Sequence, residues 1–176
     1  MTARHDLPAE AMRVLGVDCG SRVTGYGLID VAGGDYSYVT SGAIRTRPGD
    51  ELARRLEAVH DALDEVIRRH GPSVAVFETV FHAANAQSAL KLGHVRGVSV
   101  FAAARSRLPV YEYSALQVKS AVTGYGHAGK AQVQQMVRSL LGLGQVPEPH
   151  DAADALAVAI CHAQSHRYRR ATAVTR

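Results

Sequence analysis

The chain has 176 residues, of which 47% are hydrophobic and 20% charged, with a net charge of +4 and a pI near 9.3. That length suits one domain with a substantial core, and no apolar run reaches the ~18–20 residues of a membrane span. Cys19 and Cys161 lack metal-type spacing and do not suggest a disulfide framework, and no secretory leader is evident, so a cytoplasmic protein is expected. Residues 1–12, MTARHDLPAEAM, are polar and read as a flexible extension. Residues 13–166 read as the folded domain.

The stretch VLGVDCGSRVTGYG (14–27) reads as a buried strand ending on Asp18, a turn at Gly20-Ser21, and a second strand over Thr24–Asp30. Gly33-Gly34-Asp35 turns the chain into a third strand, Tyr36–Ile44. Asp50 suits the N-cap of a long amphipathic helix through His70, with Leu52, Leu56, Val59, Leu63, Val66 and Ile67 on one face. Gly71-Pro72 stops that helix. Ser73–Glu78 is another apolar strand ending on a single carboxylate. A right-handed crossover then brings Glu78 and Asp18 to one edge of neighbouring parallel strands.

Ala84–Arg105 reads as a second long helix, rich in small residues, where Gly93 and Gly97 each cost roughly 1 kcal/mol relative to alanine. A packing reason is expected for them, against the sheet or across a dimer interface. Pro109–Tyr113 is the fifth strand, and Ser114 with Gln117 has the spacing of a capping box for a short helix to about Val122. A glycine-rich loop, Thr123–Gly129, lies between Lys119 and Lys130. Ala131–Leu141 forms a further helix, and the last one starts near Asp151 as DAADALAVAICHA. Residues 167–176 form a flexible basic tail. The expected fold class is α/β: a mixed five-stranded sheet, with a three-strand antiparallel meander plus two parallel strands and helices on both faces.

Taken singly, each acid has an ordinary explanation. Asp151 and Asp154 share one side of a first helical turn, where capping stabilises by about 0.3–1 kcal/mol. Asp18 suits a turn bonded to the Gly20-Ser21 backbone, and Glu78 suits a strand-end ion pair. Together they point elsewhere. Four carboxylates converging at one sheet edge repel one another unless divalent cations lie between them, and hard oxygen donors select Mg²⁺ or Mn²⁺. Two such ions about 4 Å apart activate a water and stabilise the leaving oxygen in phosphodiester cleavage. Cys19 lacks an activating partner and reads as structural. His150 has three readings: a base, a ligand, or a polar residue ahead of a cap. Lys119 and Lys130 are either phosphate binders or ordinary exposed lysines. Phe81 is either a core aromatic or a wedge that unstacks bases.

Four segments, in order, resemble the RuvC family of Holliday-junction resolvases: LGVDCGSRVTGYG (15–27), FETVFHAANAQSALKLGHVRGV (77–98), YSALQVKSAVTGYGHAGKAQVQQMV (113–137) and HDAADALAVAICH (150–162). The resemblance covers about residues 13–165. It implies a ribonuclease-H-like fold and a homodimer that cuts four-way DNA junctions with paired symmetrical nicks, using Mg²⁺ or Mn²⁺. Carried onto this chain, it makes Asp18, Glu78, Asp151 and Asp154 catalytic, metal-binding acids. It makes Lys119 and Lys130 DNA-handling residues and Phe81 a contact to junction bases. It places the dimer contact on the helix 84–105 and implies cooperation with a RuvA–RuvB branch-migration complex, a preference for thymine-containing cut sites and a nucleoid-associated location. Two departures stand out: Cys19 occupies the usual proline position, and the N-terminal extension is long.

Three other functions compete. A phosphotransferase of the sugar-kinase and actin superfamily also has a phosphate loop after a strand-ending aspartate, but that architecture usually needs two such domains. A non-catalytic junction binder would not need the complete acid set. A small nuclease acting on ribosomal RNA precursors shares the fold, but the glycine-lysine loop favours the resolvase.

Overall fold

The computed structural model describes residues 11–47, 49–79 and 85–174, the last eight of these by backbone alone. Among the described residues, five strands and five helices follow one another: β1 (Met12–Asp18), β2 (Val23–Ala32), β3 (Asp35–Arg45), α1 (Leu52–His70), β4 (Val74–Thr79), α2 (Ala86–Arg105), β5 (Val110–Ser114), α3 (Ala115–Thr123), α4 (Lys130–Leu140) and α5 (His150–Val174). The strands form one sheet in the order β3-β2-β1-β4-β5. β1, β2 and β3 are an antiparallel meander; β4 is parallel to β1, and β5 is parallel to β4. This is the mixed sheet expected from the sequence.

Strand alternation divides the core in two. Val14, Val74 and Val76 face α3, α4 and α5, where they meet Val118, Val137, Leu156 and Ile160. Leu15, Val17, Ala75 and Phe77 face the opposite way, toward Val59, Leu63 and Ile67 of α1 and Val95 and Ala102 of α2. Helices therefore cover both faces. β1 and β4 are buried on both sides, which is why they read as continuous apolar runs.

α5 lies unusually close to the meander. A Cβ added to Gly16 would overlap the Ala155 carbonyl oxygen and sit 2.8 Å from the Ala159 nitrogen. One on Gly25 would overlap the Asp151 carbonyl oxygen, and one on Gly27 would come within 2.6 Å of Leu156 Cγ. The glycines let a helix backbone lie on strand backbone. Ala155 and Ala159, both buried, meet Gly16 from the helix side.

Several local expectations hold. Gly33 and Gly34 both take positive φ in the hairpin, and Gly71 ends α1 in the left-handed region. Ser114 and Gln117 form a reciprocal capping box. Others need correction. Asp50 is not the N-cap of α1: its amide donates to the Arg47 carbonyl at 3.2 Å in a preceding turn, and the helix starts after Glu51 without a side-chain cap. Leu52, in the first turn, is exposed rather than turned to the core. On α2, Asn85 accepts a hydrogen bond from the Ser88 amide, so the helix begins at Ala86; Ala84 lies outside the described residues. α5 continues as helix to Val174, past His166 where a flexible tail was expected. The extension 1–10 lies outside the described residues.

Arg13 ties the sheet to α1. Its guanidinium grips Asp30 on β2 through two hydrogen bonds of 2.7 Å and donates a third, also 2.7 Å, to the His70 carbonyl at the end of α1. Such a bidentate, partly buried pair holds geometry as well as charge.

Candidate active site

Register and parity place the first two acids. Val14 to Val17 pair with Val74 to Phe77 in parallel register, so the next step along each strand brings Asp18 beside Glu78. Both continue the set of residues that faces α5, and both stand at the carboxyl ends of adjacent parallel strands. The third and fourth acids arrive with α5. Asp18 pairs across the sheet with Gly25, and Gly25 lies under the Asp151 carbonyl, so the first turn of α5 is seated over the end of β1. Asp154 is one turn along.

Asp18, Glu78 and Asp154 line one open cleft of about 270 Å³, together with Lys119, Lys130 and Val133. The site is electrostatically stressed. Burial pushes the Asp18 carboxyl up to about 7 from its ordinary 3.8, and the charges of Glu78, Asp154 and Asp151 push it the same way, against Lys130. Glu78 is raised too, by burial first and then by Asp154, while Lys119 and Lys130 pull it down. Lys130 Nζ lies 2.7 Å from Asp154 Oδ2, which raises the ammonium's pKa. Among the described residues, no side chain hydrogen-bonds the carboxylate of Asp18 or Glu78.

The four acids are thus gathered at one sheet edge, as anticipated, but Asp151 only borders the cleft that the other three line. Among the described residues, no three acidic, histidine or cysteine side chains are drawn together tightly enough to hold a metal ion as they stand. Asp154 is paired with Lys130 instead. The donor chemistry still fits a hard divalent cation. Among the described residues, the cleft offers carboxylate oxygens with no sulfur or imidazole lining it, and Asp18 is largely withdrawn from water without a side-chain hydrogen-bond donor.

The two lysines of the sequence analysis reach the cleft from α3 and from the first residue of α4, on either side of the glycine-rich loop. Phe81 lies outside the described residues. His150 is exposed at the start of α5 and does not line the cleft. Cys19 is buried, and burial lifts its thiol to about 12, so it is no nucleophile at neutral pH. Sequence reasoning missed Gly16, Gly25 and Gly27 as the seat of α5. The available signal was their spacing: each lies on the strand face where the alternation calls for an apolar side chain.

The family model for crossover junction endodeoxyribonuclease RuvC matches residues 14–162. This chain belongs to the RuvC family. It is 51% identical over 159 residues to the RuvC of Pelotomaculum thermopropionicum, covering 90% of this chain and 97% of that one. It is 54% identical over 154 residues to the RuvC of Geobacter metallireducens, covering 88% and 93%. The structure of Thermus thermophilus RuvC in complex with a Holliday junction substrate superposes with a TM-score of 0.85 at 35% identity, over 89% of this chain and 96% of that chain. A yeast mitochondrial Holliday junction resolvase shares the fold, with a TM-score of 0.63 at 14% identity. The ribonuclease-H-like architecture expected of a RuvC-family chain is therefore the one observed. Family membership along most of the chain displaces the phosphotransferase reading.

Proposed function

We propose that this RuvC-family chain is a structure-selective endodeoxyribonuclease that resolves four-way DNA junctions by paired symmetrical nicks. The observation that carries the reading is the single cleft shared by Asp18, Glu78 and Asp154 at the carboxyl edge of the sheet, flanked by Lys119 and Lys130. Asp18, Glu78, Asp154 and the neighbouring Asp151 would hold Mg²⁺ or Mn²⁺. When bound, two such ions supply an activated water and neutralise charge on the leaving oxygen.

The protein's own groups have distinct tasks. Lys119 and Lys130 lower the pKa of Glu78, which favours the ionised form that a metal ligand needs. Lys130 orients Asp154, and both lysines offer positive charge to a phosphate entering the cleft. Burial of Asp18 makes its charge unfavourable until something cationic arrives, so the cleft gains most from a cation at that end. Phe81 follows Glu78 closely in the chain and is proposed, on the resemblance, to contact junction bases.

Paired nicks require two copies of the cleft. Leu90 and Phe101 are 62% and 55% exposed on α2, and the open space around Gly93 and Gly97 leaves that face accessible to a second helix. A homodimer through α2 therefore gives those residues the packing reason their cost demands. Cooperation with a RuvA–RuvB complex and a cytoplasmic, nucleoid-associated location belong to the same proposal. Among the described residues, no helix is long and apolar enough to cross a membrane.

The test is incubation with a synthetic four-way junction and a linear duplex of matching sequence, in Mg²⁺ or in EDTA. Metal-dependent, paired nicks confined to the junction are expected, and Asp18→Asn should bind the junction without cutting it. Equal cutting of both substrates, or cutting by Asp18→Asn at the parent rate, would overturn the reading.

A further inference from the structure

A second cavity, of about 240 Å³, is lined by Ser21, Arg22, Arg55, Ser88 and Lys91. It lies where the loop after Asp18 meets the first turns of α1 and α2. Among the described residues, three cations and two hydroxyls surround it, and no carboxylate does. Among the described residues, Arg22 and Lys91 have no ion-pair partner, and both are exposed. Cations that share one cavity give it a positive field that favours an anion.

The cavity is also built on a braced frame. Arg55 donates from one guanidinium nitrogen to the Ser21 carbonyl and from Nε to Thr46 Oγ1 at 3.3 Å. The Thr46 amide donates to the Arg22 carbonyl at 3.1 Å. The loop carrying Ser21 and Arg22 is therefore fastened to α1 and to the chain leaving β3. On the opposite wall, Ser88 and Lys91 are three residues apart, so they share a face of the first turns of α2. The positive end of that helix dipole adds to the field.

We infer that this cavity is a second DNA-contact site, which grips one non-scissile backbone phosphate by Arg22, Lys91 and the Ser88 hydroxyl. The chemistry favours phosphate over base edges: among the described residues the lining is cationic and hydroxylic, without the aromatic or amide groups that read or stack bases. The inference rests on the junction-nuclease reading and adds a positioning role to it. Ser21 and Arg22 come three and four residues after Asp18, so a phosphate held there fixes the strand relative to the acid cleft. No base-specific contact is involved, so the contribution is the same for every junction sequence.

The experiment is a salt titration of four-way junction binding in EDTA, followed by fluorescence anisotropy, for the parent and for the double variant Arg22→Gln/Lys91→Gln. Both residues are exposed and outside the cores, so the fold is expected to persist; thermal melts check it. Arg68→Gln is the charge control, since Arg68 is 71% exposed, pairs with Asp64 and lies near the other end of α1. Loss of one phosphate contact should make the slope of log K against log[salt] shallower by about 0.9 in the double variant and leave the control unchanged. An unchanged slope in the double variant overturns the inference while leaving the parent's junction nicking intact. An equal change in Arg68→Gln also overturns it, because the effect is then one of net charge. A parent protein that neither binds nor nicks the junction would instead sink the functional reading on which the inference stands.

Discussion

Replacing Asp18 by asparagine should make the metal-free protein more stable at pH 8 than the parent. Folding moves this carboxyl from an ordinary 3.8 to about 7, through burial first and the charges of Glu78, Asp154 and Asp151 next. Between those two values the folded protein retains a proton that the unfolded chain has released. Stability therefore falls as pH rises through this window, and the whole penalty stands above about pH 7. At about 1.4 kcal/mol per pH unit, ionising Asp18 costs at most about 4 kcal/mol, a large share of a typical domain's stability. Asparagine carries no charge to bury. In EDTA, urea melts should show Asp18→Asn gaining up to about 4 kcal/mol over the parent at pH 8, and a gain that shrinks steadily toward pH 4. Glu78 is raised in the same sense, so its ionisation also costs the folded parent stability as pH rises. Added Mg²⁺ should stabilise the parent at pH 8 and have little effect on the variant. A gain independent of pH, or a variant less stable than the parent at pH 8, would refute the idea that a buried, repelled carboxylate is the source of strain at this site.

Other outcomes follow from the same geometry. Gly25→Ala sets a methyl against the Asp151 backbone, which cannot swing aside, so urea melts should show a loss of about 1–3 kcal/mol together with impaired junction nicking. Lys130→Ala removes the partner of Asp154 from a largely exposed position, so stability should change by less than about 1 kcal/mol while the nicking rate falls at least tenfold in single-turnover assays. Phe101→Glu on the open face of α2 should give a folded monomer in sedimentation experiments, with normal circular dichroism and no paired nicks. A dimer that survives this substitution would move the interface elsewhere.

Much of this protein is legible in the order of its residues. Apolar strands that each stop on one carboxylate, Asp18 and Glu78, specify both the sheet and the edge at which its chemistry gathers. Period-2 alternation adds that both side chains face the same way, because Val14 and Val74, in register, share a core with α5. The capping box at Ser114 and the glycine stop at Gly71 are local devices, and local devices can be read locally. Asp50 shows the limit: a good capping residue one position too early is drawn into a turn with Arg47 instead.

Only the tertiary structure decided how α5 reaches the acids of the sheet. Nothing in the spacing of Asp151 and Asp154 tells them apart from an ordinary helix start, since that spacing describes one helical turn and not what lies beneath it. Gly16, Gly25 and Gly27 are scattered over two strands, and they become a single seat only when antiparallel pairing sets Gly16 directly opposite Gly27. The same holds for the basic cavity of Arg22, Arg55 and Lys91, whose members come from a loop and two helices. Short-range order is written in neighbours along the chain; the meeting of charges from distant segments depends on how closely backbones can approach, and folding alone sets that distance.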